Sequence, residues 1–352
     1  MNRDMNPKAL ALAPLGVLYG VAMKARRGLY RTGRFRVHNL GVPVISVGNL
    51  TTGGTGKTPL VEWITNDLAQ AGRRVCILTR GYGRPSAGTR VVVSSGSEIL
   101  SDADRAGDEP LLLAENLKGR AAVICDPDRV SAALWAVENF KSDAFVLDDG
   151  FQHLRVARNL NILTIDATNP WGNGKLLPAG ILRESPAELT RADCIVITRT
   201  DYSNQTAELE REINELSNDR PIFRSRMTLC GWREVGRSEA SVAAEAPKAS
   251  PVAAFCAIGN PESFFSLVRR GGYHLCHTQA FRDHHIFTQA DIDRVAREAI
   301  SRGGQILLTT AKDEVKLRKL SFGMPCYAAD IEIEIESAAQ LSSLIQQSLN
   351  QK

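Results

Sequence analysis

The chain has 352 residues, room for two domains, and its 43% hydrophobic and 23% charged content is that of a globular protein. Net charge is only +4, yet residues 1–40 hold eight basic residues and one acidic one, a local +7 that leaves −3 for the remainder. Seven scattered cysteines without a C-x-x-C pair exclude a disulfide framework and a zinc site, and fit a reducing cytosol. The basic excess is confined to the first 40 residues, so an anionic surface is expected to meet that end, and no nucleic-acid partner is expected.

In chain order, Ala9 to Met23 (ALALAPLGVLYGVAM) is an uncharged run of fifteen residues that meets the basic cluster Lys24, Arg26 and Arg27. A spanning helix needs about 20 apolar residues, and Pro14, Gly16 and Gly20 weaken this one further. A signal peptide or a plain buried helix are the alternatives. Apolar burial beside Lys and Arg is the monotopic pattern, so a helix lying in the cytoplasmic membrane face is expected. Arg31, Arg34 and Arg36 could hold phosphorylated lipid headgroups.

Val44 to Thr58 (VISVGNLTTGGTGKT) reads as strand, phosphate loop and helix. Gly53, Gly54 and Gly56 lack a Cβ, so backbone N–H groups can turn toward phosphate oxygens, and the following helix presents its positive end to the same anion. Lys57 would reach the β/γ-phosphates, and the Thr58 hydroxyl would ligate Mg²⁺. The loop Thr51, Thr52, Gly53, Gly54, Thr55, Gly56 departs from G-x-x-x-x-G-K-[ST] only at Thr51, where the pattern has glycine. A helix over Pro59–Gln70 follows, then a buried strand Val75–Thr79 that ends in Arg80-Gly81-Tyr82-Gly83-Arg84. Arg80 stands where ligands bind in open α/β sheets, or is a solvated loop residue.

Asp108 and Glu109 precede an apolar helix over Leu111–Leu117. They are either carboxylates favoured by the helix dipole or a base for an attacking hydroxyl. A strand Ala121–Ile124 leads into Asp126-Pro127-Asp128-Arg129 and a helix through Phe140. Phe145-Val-Leu-Asp148-Asp149-Gly150-Phe151-Gln152-His153 is an apolar strand ending in acid, the pattern that offers carboxylate to Mg²⁺. Gln152 and His153 follow it, either to position groups near the metal or as ordinary loop residues. Strands Leu160–Asp166 and Cys194–Thr198 continue a βαβ rhythm, which predicts a doubly wound parallel sheet. Between them lies the turn-rich loop Gly174–Glu184, a candidate for substrate contact. Thr198-Arg199-Thr200-Asp201 and Thr310-Ala311-Lys312-Asp313 each loosely resemble the T-K-x-D arrangement that reads guanine.

Residues 236–251 (GRSEASVAAEAPKASP) are expected to be a linker. Beyond it the pattern predicts strand Val252–Ile258, helix Glu262–Arg270, strand Tyr273–Phe281, helix Gln289–Arg302, a half-buried strand Ile331–Ile335 and a final helix Ala338–Leu349. His284 and His285, within Phe281-Arg-Asp-His-His-Ile-Phe287, lack a third ligand at metal spacing. A histidine there could relay a proton from a carboxylate, or be hydrogen-bonded structure.

GNLTTGGTGKTP, TRGYGR, GDEP, DPDR, LDDGFQH, PAGILRE, FRDHHIF and TTAKDEVK stand in one order, and the set closely resembles the tetraacyldisaccharide 4'-kinases of Gram-negative envelopes. That resemblance covers the chain from its N-terminal apolar helix to about Lys316, and the family's own phosphate loop is irregular in the same way. It implies an ATP- and Mg²⁺-dependent lipid kinase acting on the 4'-hydroxyl of a tetraacyl glucosamine disaccharide 1-phosphate to give lipid IVA. The implied fold is a P-loop NTPase-type α/β core (residues 41–235), a smaller α/β lobe (252–352) and an N-terminal membrane-surface helix (1–40). By motif, Asp108 is the expected base and His284 its dyad partner. Asp148 and Asp149 would serve Mg²⁺, with Glu109 and Gln152 nearby, and Arg80 and Arg129 would steady phosphate or acceptor. The place implied is the cytoplasmic face of the bacterial inner membrane, with no obligate protein partner. Two competing readings remain: a GTP-binding switch or metallochaperone, suggested by the T-K-x-D-like ends, and a soluble sugar kinase, which leaves the N-terminus unexplained.

Overall fold

The computed structural model describes residues 12–81, 84, 88–236 and 250–349. Residues 1–11, Tyr82 and Gly83 of the TRGYGR motif and positions 237–249 of the expected linker lie outside the described residues.

In order, the elements are α1 (Ala13–Arg31), β1 (Val44–Asn49), α2 (Lys57–Gln70), β2 (Val75–Thr79), β3 (Val91–Ser94), α3 (Ala103–Ala106), α4 (Asp108–Asn116), β4 (Ala121–Cys125), α5 (Arg129–Phe140), β5 (Ala144–Asp148) and β6 (Leu160–Asp166). Then come β7 (Cys194–Thr198), α6 (Thr206–Ser217), β8 (Ile222–Glu234), β9 (Val252–Cys256), α7 (Pro261–Arg270), β10 (Leu275–Ala280), α8 (Gln289–Ser301), β11 (Ile306–Thr310), α9 (Ala311–Leu317), β12 (Cys326–Ile335) and α10 (Ala338–Leu349).

The twelve strands form one sheet, ordered β10-β9-β11-β12-β8-β7-β6-β1-β5-β2-β4-β3. Pairing is parallel except at β12–β8 and at β3–β4. Helices cover both faces, so the central strands read as continuous apolar runs. On β1, Ile45 and Val47 pack with Leu60, Ile64 and Leu68 of α2, and Val44 packs with Val130, Ala133 and Ala136 of α5 on the other face. In the second half, Val252, Ala254 and Cys256 meet Phe264, Phe265 and Val268 of α7, whereas Ala253 and Phe255 meet Ile292 and Val295 of α8. This is the period-2 alternation of a strand buried on two sides.

Most boundaries match the sequence patterns within two residues. The strand expected from Ile331 begins earlier, at Cys326, and β8 has no counterpart in the expectations. The outward positions of β8 are Arg224, Arg226 and Thr228, satisfied by Glu210 and Glu334 instead of by apolar packing. Its alternation is broken instead by Ser225 at a buried, inward position and by the register shift between Leu229 and Gly231. This strand matters, because β8–β12 joins the two parallel halves. α10 crosses back to the first half, where Leu341, Ile345 and Leu349 enter the core of α2.

α1 rests on the loop before β7 through its glycines. A Cβ on Gly16 would stand 3.2 Å from the Leu176 carbonyl oxygen, and one on Gly20 would stand 2.6 Å from Leu176 Cδ1. The residues that weaken this helix are thus its docking face. The opposite face leaves Leu15, Val17, Leu18 and Val21 between 52% and 66% exposed. Among the described residues no helix is long and apolar enough to cross a membrane.

Gly48 lies in β1 where the turn after β5 presses on it: a Cβ there would meet Phe151 Cβ and N at 2.6 Å. Phe151 N is backbone, and Cβ is fixed directly to the backbone, so neither can swing aside. Gly48→Ala should destabilise the chain by about 1–3 kcal/mol, read as a lower denaturation midpoint at unchanged slope in a urea titration.

Candidate phosphoryl-transfer site

The carboxyl ends of β1, β2, β5 and β7 open into a cavity of about 1420 Å³ that the second half closes from the other side. Its wall includes Thr52 to Thr58, Arg80, Glu109, Arg129, Asp148, Asp149, Gln152 and His153, together with Gly259, Asn260, Asp283, His284 and Lys312 from the second half. All the expected site residues except Thr51 and Asp108 thus meet in one place, whatever the length of chain between them. Thr51 does not join them. It is 5% exposed and bridged to Leu182, away from the wall.

The phosphate loop turns through Gly53 at φ 110° and Gly56 at φ 77°, left-handed positions that a side chain would strain. Gly56 caps α2, which begins at Lys57. The Thr55 hydroxyl lies 2.8 Å from that of Thr164 and accepts from Asn49 Nδ2 at 3.0 Å, so the loop is pinned from beneath.

β5 pairs with β1 in the register Val47↔Asp148, which sets the strand-end acid beside the loop. Asp148 accepts the Thr79 hydroxyl at 2.9 Å. Burial, with Glu109 and Asp149 adding repulsion, pushes its carboxyl up to about 6. Asp149 sits at φ 52°. Burial works to raise it, but Lys57 at 3.5 Å and Arg183 at 2.6 Å outweigh that and hold it at about 2. Arg129 is 4% exposed and points a guanidinium nitrogen at the Asp148 carbonyl, 3.5 Å away. Arg80, by contrast, is exposed at the end of β2. Gln152 Nε2 donates to the Asn49 carbonyl at 2.9 Å. Burial, then Arg129 and Arg158, push His153 down to about 3, so it is neutral.

Asp108 begins α4, and it is also half of a pair. His284 Nδ1 lies 3.1 Å from each Asp108 carboxylate oxygen. His284 adopts φ 60° and lines the cavity, whereas Asp108 is 6% exposed and lies behind it. Burial would raise Asp108, but His284, Lys312 and Lys316 hold it well below the usual carboxylate range. The Asp108 hydrogen bond raises His284 against burial and against Lys312.

Two lysines of α9 complete this corner, and sequence reasoning missed them in this role. Lys312 Nζ reaches Glu109 at 2.8 Å and Asp283 at 3.1 Å, and Lys316 Nζ reaches Asp108 at 3.3 Å. Their i,i+4 spacing matches the consecutive carboxylates 108 and 109 across the cleft, but that signal needs the fold to be read. The Asp313 end is not open to guanine, because Asp313 is fully buried and accepts from Ala257 N and the Thr310 hydroxyl; Asp201, at the surface, is paired with Arg270. Among the described residues no cluster of three or more His, Cys, Asp or Glu encloses a metal site.

A glycine-rich loop after β1, with an acid-ended strand beside it, defines the P-loop nucleotide-binding class. The profile of the family described as Tetraacyldisaccharide-1-P 4'-kinase matches residues 8–350. The chain belongs to that family. A tetraacyldisaccharide 4'-kinase of Desulfotalea psychrophila is 40% identical over 324 residues, 90% of each chain. One from Geobacter metallireducens is 39% identical over 335 residues, 95% of this chain and 96% of its own. Among solved structures, LpxK from Aquifex aeolicus, an "apo" form in complex with ATP, superposes with a TM-score of 0.75 at 32% identity, covering 97% of this chain and 99% of that one.

Glu109 is one of two carboxylates that raise Asp148. Glu109→Gln should therefore lower the Asp148 titration midpoint from about 6 toward the ordinary carboxylate range, read by carbon-13 NMR of labelled aspartate.

Proposed function

We propose that this chain transfers the γ-phosphoryl of ATP to the 4'-hydroxyl of a tetraacyl glucosamine disaccharide 1-phosphate, the kinase step of lipid A assembly. The observation that carries this reading is the meeting, in one cavity, of the phosphate loop from Gly53 to Thr58 with the Asp108–His284 pair. A P-loop alone would serve hydrolysis or switching. A base pair aimed at the same cavity serves an alcohol acceptor.

In this reading the loop N–H groups and Lys57 hold the β- and γ-phosphates. The 4'-oxygen attacks the γ-phosphorus, its proton passes to the Asp108–His284 pair, and the bond to the β–γ bridging oxygen breaks to release ADP. His284 faces the acceptor, and Asp108 fixes its ring and stabilises the charge it gains. Arg129, and with less shelter Arg80, balance the phosphoryl oxygens.

Thr58, Asp148 and Asp149 would hold Mg²⁺, with Glu109 alongside. The fit rests on the donor set: hard oxygens, a buried carboxyl raised by its like-charged neighbours, and an Asp149 Oδ1 without a hydrogen-bond partner. Mg²⁺ takes one or two protein carboxylates and draws its other ligands from substrate phosphates and water, so a closed protein cage is not needed. When bound, it supplies positive charge to the bridging oxygens.

The acceptor's four acyl chains keep it in a bilayer. The apolar face of α1 is proposed to bring the enzyme there, at the cytoplasmic face where ATP is available. The expected division into a core, a linker and a lobe is proposed as the basis for opening and closing around the acceptor.

Three outcomes test this. With labelled ATP, Mg²⁺ and the tetraacyl disaccharide 1-phosphate in detergent, Asp108→Ala should lose about 10²–10⁴-fold in kcat; a lipid-transfer rate within a few-fold of wild type would remove the base. The accepting form of His284 is neutral and its pKa is raised, so kcat/KM should fall as pH drops through a value above 6.5, and Asp108→Asn should move that limb to lower pH. A double change Val17→Ser/Leu18→Ser on the exposed face of α1 should reduce sedimentation with anionic vesicles while leaving the melting temperature unchanged; equal sedimentation would sink the membrane role.

A further inference from the structure

Arg199 and Asp166 form an ion pair, 8% and 6% exposed, that has no part in the steps above. A buried ion pair seldom stabilises a fold more than apolar residues of the same volume, so stability does not explain it. Arg199 also adopts φ 56°, a left-handed backbone that side chains rarely take.

What this geometry achieves is contact with the phosphate loop. Arg199 donates to the Gly54 carbonyl at 2.9 Å, and the Thr198 hydroxyl donates to the Thr55 carbonyl at 3.0 Å. In a planar trans peptide the carbonyl and the next residue's N–H point in opposite directions. Holding these two carbonyls at the end of β7 therefore turns the Thr55 and Gly56 N–H groups away from β7. A phosphate nest requires such an arrangement, successive N–H groups sharing one side.

The same pair reaches into the second half. Asn260 Nδ2 donates to Asp166 Oδ2 at 3.2 Å, and Asn260 also caps α7 by accepting from Ser263 N. Its neighbour Gly259 lies so close to the loop that a Cβ there would stand 2.8 Å from the Gly54 nitrogen. Loop, strand ends and the first turn of α7 are thus linked through three side chains, Arg199, Asp166 and Asn260.

We propose that Arg199 is a positioning residue that sets the phosphate-loop peptides for a nucleoside triphosphate, and that the Arg199–Asp166–Asn260 chain makes this setting depend on closure of the second half. The inference rests on the ATP reading above. Asn260 is its discriminating member, because it contacts Asp166 rather than the loop.

ATP with Mg²⁺ is titrated calorimetrically into the full chain as wild type, Arg199→Met, Arg199→Lys, Asn260→Ala and the Arg199→Met/Asn260→Ala double variant. Arg199→Met should weaken ATP about tenfold or more, the loss expected for a charged hydrogen bond, and Arg199→Lys should recover part of it. Asn260→Ala should weaken ATP by about threefold to tenfold, and the double variant should bind no worse than Arg199→Met. Unchanged ATP affinity in Asn260→Ala, or fully additive losses in the double variant, overturns the coupling. If Arg199→Met fails to melt cooperatively, Asn260→Asp carries the test: a like charge against Asp166 should weaken ATP more than Asn260→Ala, and equal affinity overturns the proposal. A wild type that binds no ATP overturns the functional reading and this inference together, whereas ATP-binding wild type with equally binding variants overturns this inference alone.

Discussion

The antiparallel pairing of β8 with β12 is the constraint on which the rest depends. Every other neighbouring pair within the two halves is parallel, apart from the edge pair β3–β4. This ladder fixes how the second half hangs over the carboxyl ends of the first. Without it, His284 and Lys312 would be surface residues of one α/β unit, and Asp108 and Glu109 helix-start carboxylates of another. The chemistry of the cleft is therefore a consequence of one seam, and α10 reinforces it by packing its leucines against α2.

Around that seam, four carboxylates are sorted by their neighbours. Asp149 lies between Lys57 and Arg183 and stays ionised, whereas Asp148, one residue away, is buried next to like charges and is raised. Asp108 is held ionised by His284 and two lysines, and Glu109 is paired with Lys312. The same kind of side chain is thus raised, held ionised or bridged, depending on which charges the fold brings near. This sorting places the raised carboxyl next to the phosphate loop and the ionised ones where positive groups must be held.

How much of this was legible in the sequence follows from the range of each signal. Val44, Ile45 and Val47 followed by Gly53, Gly54 and Gly56 announce strand, loop and helix because the physics is local. The ends of β2, β5, β6, β7 and β11 are likewise marked by apolar runs stopping at polar residues. β8 is hard to read locally because Ser225 takes a buried position where the pattern wants an apolar residue and a register shift between Leu229 and Gly231 breaks the alternation. The Lys312–Glu109 and Lys316–Asp108 contacts join residues about two hundred positions apart, and no periodicity encodes a partner at that distance. Asp108 is left by the sequence pattern with two alternatives, a helix-start carboxylate or a base. It holds the first position in the helix and the second in the cleft, with His284 between it and the cavity.

Three non-glycine residues of the cleft, Asp149, Arg199 and His284, share left-handed backbones at φ 52°, 56° and 60°. Each such residue costs of order 1 kcal/mol or more, and glycine in its place would relieve that strain. Selection for thermal endurance alone would therefore wear away these three positions, and with them the placement of a carboxylate, a loop-holding guanidinium and an imidazole. Heat tolerance and turnover would then pull this chain in opposite directions at these positions. Lineages adapted to hot environments would have to gain their stability elsewhere, in the helices and the outer strands.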